Sequence, residues 1–308
     1  RHSSLEAPIM LCEGHGEAVL SLDFSPDGGS FASAGQDRQI LLWSVQGECE
    51  NWAALRGHKK AVTQVRWAED GECVLSTSAD ATVRCWDTRT GQQVKRMRGH
   101  GDVVNAVSPA RRGPPLLVSG GDDCTCRLWD LRVKRPVQTL HEKFQVLAVA
   151  LSNAADRVYC GGIENSIGVW DLRKGAQEAR MTGHADTVTG MDVSRDGNWL
   201  LTNSMDNTLR LWDLRPYAPP DRCTRVLQGH SHGFEQNLLR CALSPSGSHA
   251  TAGSSDRHVY VWDVKTGALE YKLPGHLGSV NEAAFHPKEP IIGSCSSDRR
   301  IFLGEIDM

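Results

Sequence analysis

Six Gly-His dipeptides punctuate this chain of 308 residues, ending at His15, His58, His100, His184, His230 and His276. The gaps between them are 43, 42, 84, 46 and 46 residues. The long gap is two periods of 42, so a seventh unit lies inside it, with Glu142 at the place of the histidine. Tryptophan keeps the same beat at Trp43, Trp86, Trp129, Trp170, Trp212 and Trp262, five of them followed by Asp, and the seventh position falls on Gly304. A repeat of this length is a supersecondary unit that cannot bury its own faces and must stack on its neighbours. Seven units of 44 residues account for all 308, so one domain spanning residues 1–308 is expected.

Spacing within the unit is also kept. An acidic residue stands six places before each Trp position: Asp37, Asp80, Asp123, Glu164, Asp206, Asp256 and Asp298. Four places earlier come Ser33, Ser76, Ser119, Cys160, Thr202, Ala252 and Ser294. Carboxylate, imidazole, hydroxyl and indole N–H can be joined into one buried chain in which each donor finds an acceptor. Units one, two, three and five carry the complete set: His15, Ser33, Asp37, Trp43; His58, Ser76, Asp80, Trp86; His100, Ser119, Asp123, Trp129; His184, Thr202, Asp206, Trp212. Unit four lacks the His and the hydroxyl, unit six the hydroxyl and unit seven the Trp, so those units are expected to be softer. Ser, His and Asp together invite a catalytic triad. An active site is normally unique, whereas this set recurs unit after unit, which points to a structural role.

Strand patterning fills the units. AVLSLDF (18–24), AVTQVRW (61–67) and TVTGMDV (187–193) alternate apolar with polar or small residues. SPDG (25–28), AEDG (68–71), SRDG (194–197) and SPSG (244–247) then supply hairpin turns with Gly at a left-handed position. No stretch of helical period intervenes. The GH and WD marks at this period resemble the WD40 repeat, one four-stranded blade per unit. The resemblance implies an all-β, seven-bladed WD40 β-propeller with four antiparallel strands per blade. In that family each repeat begins with the outer strand of the preceding blade. Residues 8–12 (PIMLC) are therefore expected to complete blade seven alongside 276–308, with the last strand at Ile301–Ile306.

Composition narrows the function. Lys plus Arg total 34 against 37 Asp plus Glu, a formal charge of −3, so the basic excess of a dedicated nucleic-acid binder is missing. Only six Phe and four Tyr are present, few for base-stacking platforms. The basic pairs Lys59-Lys60, Arg111-Arg112, Lys134-Arg135 and Arg299-Arg300 read as solvated loop surface before phosphate contacts. No apolar run reaches the length of a membrane-spanning helix, and the start, RHSSLEAPIM, lacks a secretory core. It also lacks an initiating Met, so residues upstream are expected. The ten cysteines include no CxxC pair and read as reduced, mostly buried thiols. Cys124-x-Cys126 and His230-x-His232 find no further metal ligands at a recognised spacing, and no Gly-rich phosphate loop occurs. No catalytic residue, metal, cofactor, membrane or small-molecule substrate is therefore expected.

Two insertions break the period: PYAPPDRC (216–223) and SHGFEQNLL (231–239). Long loops on a rigid scaffold often carry partner contacts. Phe234 is expected near the tip of the second, either as an anchor with Glu235 beside it or as a plug folded back on the blade. Arg38, Arg257 and Arg299 each follow a blade's acidic position and are expected to ring one mouth of the channel, where their planar forks suit carboxylate or phosphate. WDxR occurs at Trp86–Arg89, Trp129–Arg132, Trp170–Arg173 and Trp212–Arg215. Such boxes occur in substrate receptors of cullin-RING ubiquitin ligases. Four copies fit better with local Asp–Arg ion pairs at strand ends.

Less generic text carries a closer resemblance. ASAGQDRQILLW (32–43), NAVSPARRGP (105–114), GGIENSIGVWDLR (161–173), FEQNLLRC (234–241) and YKLPGHLGSVNEAAFHPKEPII (271–292) are similar to a family of WD40 proteins of the spliceosomal U5 particle. The likeness runs the length of the chain and includes the missing GH of unit four and the Gly304 ending. It implies a nuclear, non-enzymatic scaffold in pre-mRNA splicing, monomeric within a large complex. Its partners would be the large U5 scaffold protein and the neighbouring U5 helicase and GTPase, with U5 RNA touched indirectly or slightly. Glu164 departs from the family's usual Asp and puts the loop geometry of one blade in question.

Overall fold

The computed structural model describes residues 3–219, 221–235 and 237–307. Among them are 28 strands and no helix. The strands form seven four-stranded antiparallel sheets, one per repeat, so the fold is a seven-bladed β-propeller. Blade one shows the plan: Val19–Phe24 inside, then Ser30–Gly35, Gln39–Ser44, and Asn51–Arg56 outside. The two middle strands are buried on both faces, while the outer strand is buried mainly at Leu55. That gradient explains the weaker apolar text of the fourth strands.

The cores lie between blades rather than within them. Ala32, Ile40, Leu42 and Leu55 of blade one pack against Val62, Val65, Val74 and Trp86 of blade two. A blade is thus stable only with neighbours on both faces, and the ring must close. It closes through Ile9–Glu13, which pairs antiparallel with Arg300–Glu305 and so is the outer strand of the sheet whose other strands are Ile291–Ser296 and Val280–Phe285. The register runs from Ile9 opposite Gly304 to Glu13 opposite Arg300. Leu5 and Cys12 sink into the core shared by blades seven and one. Both closing strands are displaced by one residue from the expected bounds. Pro8 has no N–H to give the ladder and only accepts, at 2.9 Å, from Glu305 N–H.

The Gly of each predicted hairpin is left-handed: Gly28, Gly71, Gly197 and Gly247 have φ of 81°, 73°, 79° and 74°. The inner strand carries a bulge near its start in blades one to five and seven. Blade six lacks it, and its inner strand shrinks to Cys241–Leu243.

Candidate interaction surface

Two surfaces are built from the repeat: a rim of loops on the histidine-bearing face, and the channel lined by the seven inner strands. On the rim, His15 Nδ1 lies 2.9 Å from Asp37, and its Nε2 lies 2.7 Å from Ser33 Oγ. Trp43 Nε1–H donates to the same Oγ at 2.8 Å. The bonds recur at 3.1, 2.8 and 2.8 Å for His58, Ser76, Asp80 and Trp86. They recur at 2.9, 2.7 and 2.8 Å in the His100 and His184 sets. Each carboxylate also accepts a backbone N–H from the loop after its histidine, such as Gly16, Lys59, Gly101 and Ala185. The network therefore locks the inter-blade loop to the turn it faces. Burial alone would raise the Asp80 carboxyl. Hydrogen bonds from His58, Thr82 and Lys59 N–H outweigh it and hold the group well below the usual carboxylate range. Burial pushes the His58 imidazole down, against the pull of Asp80.

The three incomplete units are rewired. In blade four, Glu142 itself accepts from Trp170 Nε1–H at 2.5 Å, and Arg180 bridges Glu142, at 3.2 Å, to Glu164. Glu164 keeps its place through that arginine instead of a histidine. In blade six, His230 does not meet Asp256. Its Nε2 lies 2.8 Å from Asn203 Oδ1 of blade five, and Trp262 Nε1–H donates to Gln228 O at 3.0 Å. Asp256 is taken by Tyr260 OH at 2.6 Å and Lys272 at 3.2 Å. In blade seven, His276 keeps Asp298 and Ser294 at 3.1 and 2.9 Å, and Phe302 sets its ring edge-on to the imidazole.

The residue after each acidic position is left-handed in all seven blades: Arg38, Ala81, Cys124, Asn165, Asn207, Arg257 and Arg299, with φ between 60° and 72°. Asn tolerates that region; Arg and Ala are strained in it. Arg38, Arg257 and Arg299 are exposed there on neighbouring blades one, six and seven. Phe234 is wholly exposed, and Glu235 beside it is exposed as well, with Asn237 Nδ2 donating to its carboxylate at 3.0 Å. The fold-back plug expected as one option for Phe234 is not what the loop forms. Its base is fixed by Ser231 Oγ, 3.3 Å from Ser255 Oγ, next to the turn that carries Arg257.

The channel was not legible in the repeat pattern. Side chains at three inner-strand levels tie blades one, two, three, five and seven to the next. At the bulge, Thr63, Asn105 and Asn281 donate to Val104 O, Val146 O and Val19 O at 2.5, 3.0 and 2.6 Å. One residue on, Glu282 accepts from Ser21 Oγ–H and Leu22 N–H, Ser21 Oγ from Val65 N–H, and Gln64 from Val107 N–H. Two further on, Asp23 accepts from Trp67 N–H and Asp192 from Leu243 N–H. Burial pushes the Asp23 carboxyl up to about 7, against the opposing pull of Arg66. Arg66 pairs with Glu282 at 2.6 Å. Arg240 reaches across from blade six and donates at 2.9 Å to both Thr63 O and Asn105 O. Ala106, Ala148 and Gly190, small residues at the corresponding level, line a void beside it. Burial lowers the Arg240 guanidinium to about 10.

Other expected features fall apart in space. Arg111 is no loop-surface cation: it donates to Val193 O and Ser194 O at 2.6 and 2.9 Å and pairs with Asp192. The WDxR boxes differ among themselves. Arg132 and Arg215 fold onto Asp130 and Asp213, while in the third box Lys174 is the cation paired with Asp171 and Arg173 is exposed. One pair of the ten cysteines comes together: Cys126 of blade three faces Cys160 of blade four, their Cα atoms 7.1 Å apart, beyond the usual Cα span of a disulfide. Among the described residues one group brings metal-ligand atoms together, His249, Asp263 and Glu270. Its atoms are used internally: His249 meets Glu270 at 3.0 Å and Ser248 Oγ at 2.8 Å, and Asp263 accepts from Thr266.

The family model described as WD domain, G-beta repeat, matches residues 6–44, 49–87, 91–130, 175–213, 221–263 and 267–303. The matched stretches pass over 131–174, which contains most of the rewired blade four. The chain is 54% identical over 306 residues to the U5 small nuclear ribonucleoprotein 40 kDa protein of Bos taurus, across 99% of this chain and 86% of that protein. It is 46% identical over 307 residues to the Dictyostelium discoideum protein of the same name, across 99% and 86%. It is 45% identical over 307 residues to the Schizosaccharomyces pombe pre-mRNA-splicing factor cwf17, across 100% and 90%.

Proposed function

The chain belongs to the WD40-repeat family of the U5 small nuclear ribonucleoprotein 40 kDa protein, and from that membership we propose that it is a non-enzymatic interaction scaffold in pre-mRNA splicing. The observation that carries this reading is the whole-length likeness, which spans the rim loops as well as the blade cores. A closed propeller is rigid, so it presents side chains at fixed spacings without losing chain entropy on binding. It works in the nucleus as a U5 component and docks on the large U5 scaffold protein, close to the U5 helicase and GTPase. U5 RNA is touched indirectly or through minor contacts.

The rim is the docking face we assign. Arg38, Arg257 and Arg299 stand exposed on three contiguous blades, and Phe234, with Glu235 next to it, projects from the loop whose base meets Ser255, two residues before Arg257. Exposed aromatic and Arg side chains are the residues from which binding hot spots are built. Affinity purification of the tagged chain from nuclear extract, with mass spectrometry, tests the reading. U5 proteins and U5 RNA should be recovered, and replacing the three arginines by Glu should deplete them. Recovery of a cullin adaptor instead, lost on Arg173→Ala, would overturn it. Unaltered recovery with the triple variant would exclude the rim alone.

A further inference from the structure

On the face opposite the histidine loops, the turns of blades one and two enclose a groove of about 880 Å³. Two indoles line it. Trp52 stands on the outer strand of blade one, half exposed, and Trp67 ends the inner strand of blade two, 7% exposed. Four carboxylates share the lining: Asp27 from the hairpin turn of blade one, Asp70 and Glu72 from that of blade two, and Asp87 from its next turn. Arg89 offsets one of these charges. Three of the four carboxylates hold their own turns with one oxygen each. Asp27 Oδ1 takes Gly29 N–H, Asp70 Oδ1 takes Glu72 N–H, and Asp87 Oδ1 takes Thr90 N–H. The second oxygen of Asp70 and the Glu72 carboxylate accept no hydrogen bond among the described residues.

The second, independent feature is Trp67. Its indole N–H is buried and has no acceptor. A buried donor without a partner costs about 1–3 kcal/mol, and such groups in a lined groove mark the place of a missing acceptor. We propose that this groove is a docking site for a basic, extended segment of a partner protein. An Arg or Lys side chain enters against the indoles, where cation–π attraction and the free carboxylate oxygens act together. The Trp67 N–H lies beneath the groove surface, so a main-chain carbonyl of the same segment becomes its acceptor only when the indole shifts to uncover it. Phosphate-bearing nucleic acid is repelled by the carboxylates and is not the occupant. The site is separate from the rim and does not depend on it.

Fluorescence polarisation with the recombinant chain tests this. The probe is a fluorescein-labelled peptide Gly-Arg-Gly-Arg-Gly-Arg-Gly, with Glu in place of Arg as its control. The Arg peptide should bind, weaken with added salt, and lose about tenfold in affinity with Trp52→Ala and with the double variant Asp70→Asn, Glu72→Gln. Those side chains lie outside the core, and a thermal melt verifies that the variants fold. Phe234→Ala should leave binding unchanged, which separates this site from the rim. No binding up to about 1 mM (ΔG near −4 kcal/mol), equal binding of the Glu peptide, or wild-type affinity in both groove variants would overturn the proposal.

Discussion

Ser119 shows how much one side chain can carry. Its hydroxyl donates to His100 Nε2 and accepts from Trp129 N–H, at 2.7 and 2.8 Å, and among the described residues no other acceptor reaches that indole. Ser119→Ala should therefore orphan two buried polar atoms, not one, and destabilise the protein by about 2–4 kcal/mol. Urea unfolding measures it, and a loss below about 1 kcal/mol would show that the loop simply rearranges. This network could be read in advance because its four members recur at fixed separations. The substitutes could not. Glu142 replaces both His and Ser in blade four, and nothing in LHEKFQ announces that its carboxylate will face Trp170. The same holds for His230, whose partner is an Asn on the neighbouring blade.

Strands were legible as units but their ends were not. A ladder stops where hydrogen-bonding partners stop, and that depends on the strand opposite. Blade six makes the point. Its inner strand is only Cys241–Leu243: the side chain of Arg240 just before it crosses the channel, and the inserted loop stands where the other blades carry the bulge. The seam is the element whose loss should matter most. Deleting residues 1–12 removes most of the closing ladder, exposes the edge of Arg300–Glu305, and empties the places of Leu5 and Cys12. The melting temperature should fall by at least about 5 °C. An unchanged melt would mean that blade seven stands without its fourth strand.

The ring as a whole has a pH signature. Burial pushes His58 and His276 below the usual imidazole value, and lowers His230 to about 3 and His232 to about 4. A folded-state value below the unfolded one means that unfolding takes up protons as pH falls. Their contribution is thus complete above about pH 6.5 and is lost as pH drops toward 4. The lowered Asp80 and Asp206 add a second loss, but only below about pH 4. Asp23, pushed up by burial to about 7, works the other way and offsets part of the histidine loss between about pH 7 and 4, so thermal melts of Asp23→Asn from pH 8 to pH 4 should fall more steeply below about pH 6.5 than those of the parent chain, and a flat profile in that variant would contradict the buried neutral histidines.

Blade number, strand alternation, the hairpin glycines and the four complete polar networks all follow from the amino-acid sequence alone. Each depends on residues within one repeat, so the repeat displays them seven times over. The channel follows from closure. Arg240 meets Thr63 and Asn105 at separations of 177 and 135 residues, and Glu282 meets Ser21 at 261. Contacts of that range have no period and leave no local mark. Only when seven blades close into a ring do the odd residues of the inner strands come to share a site.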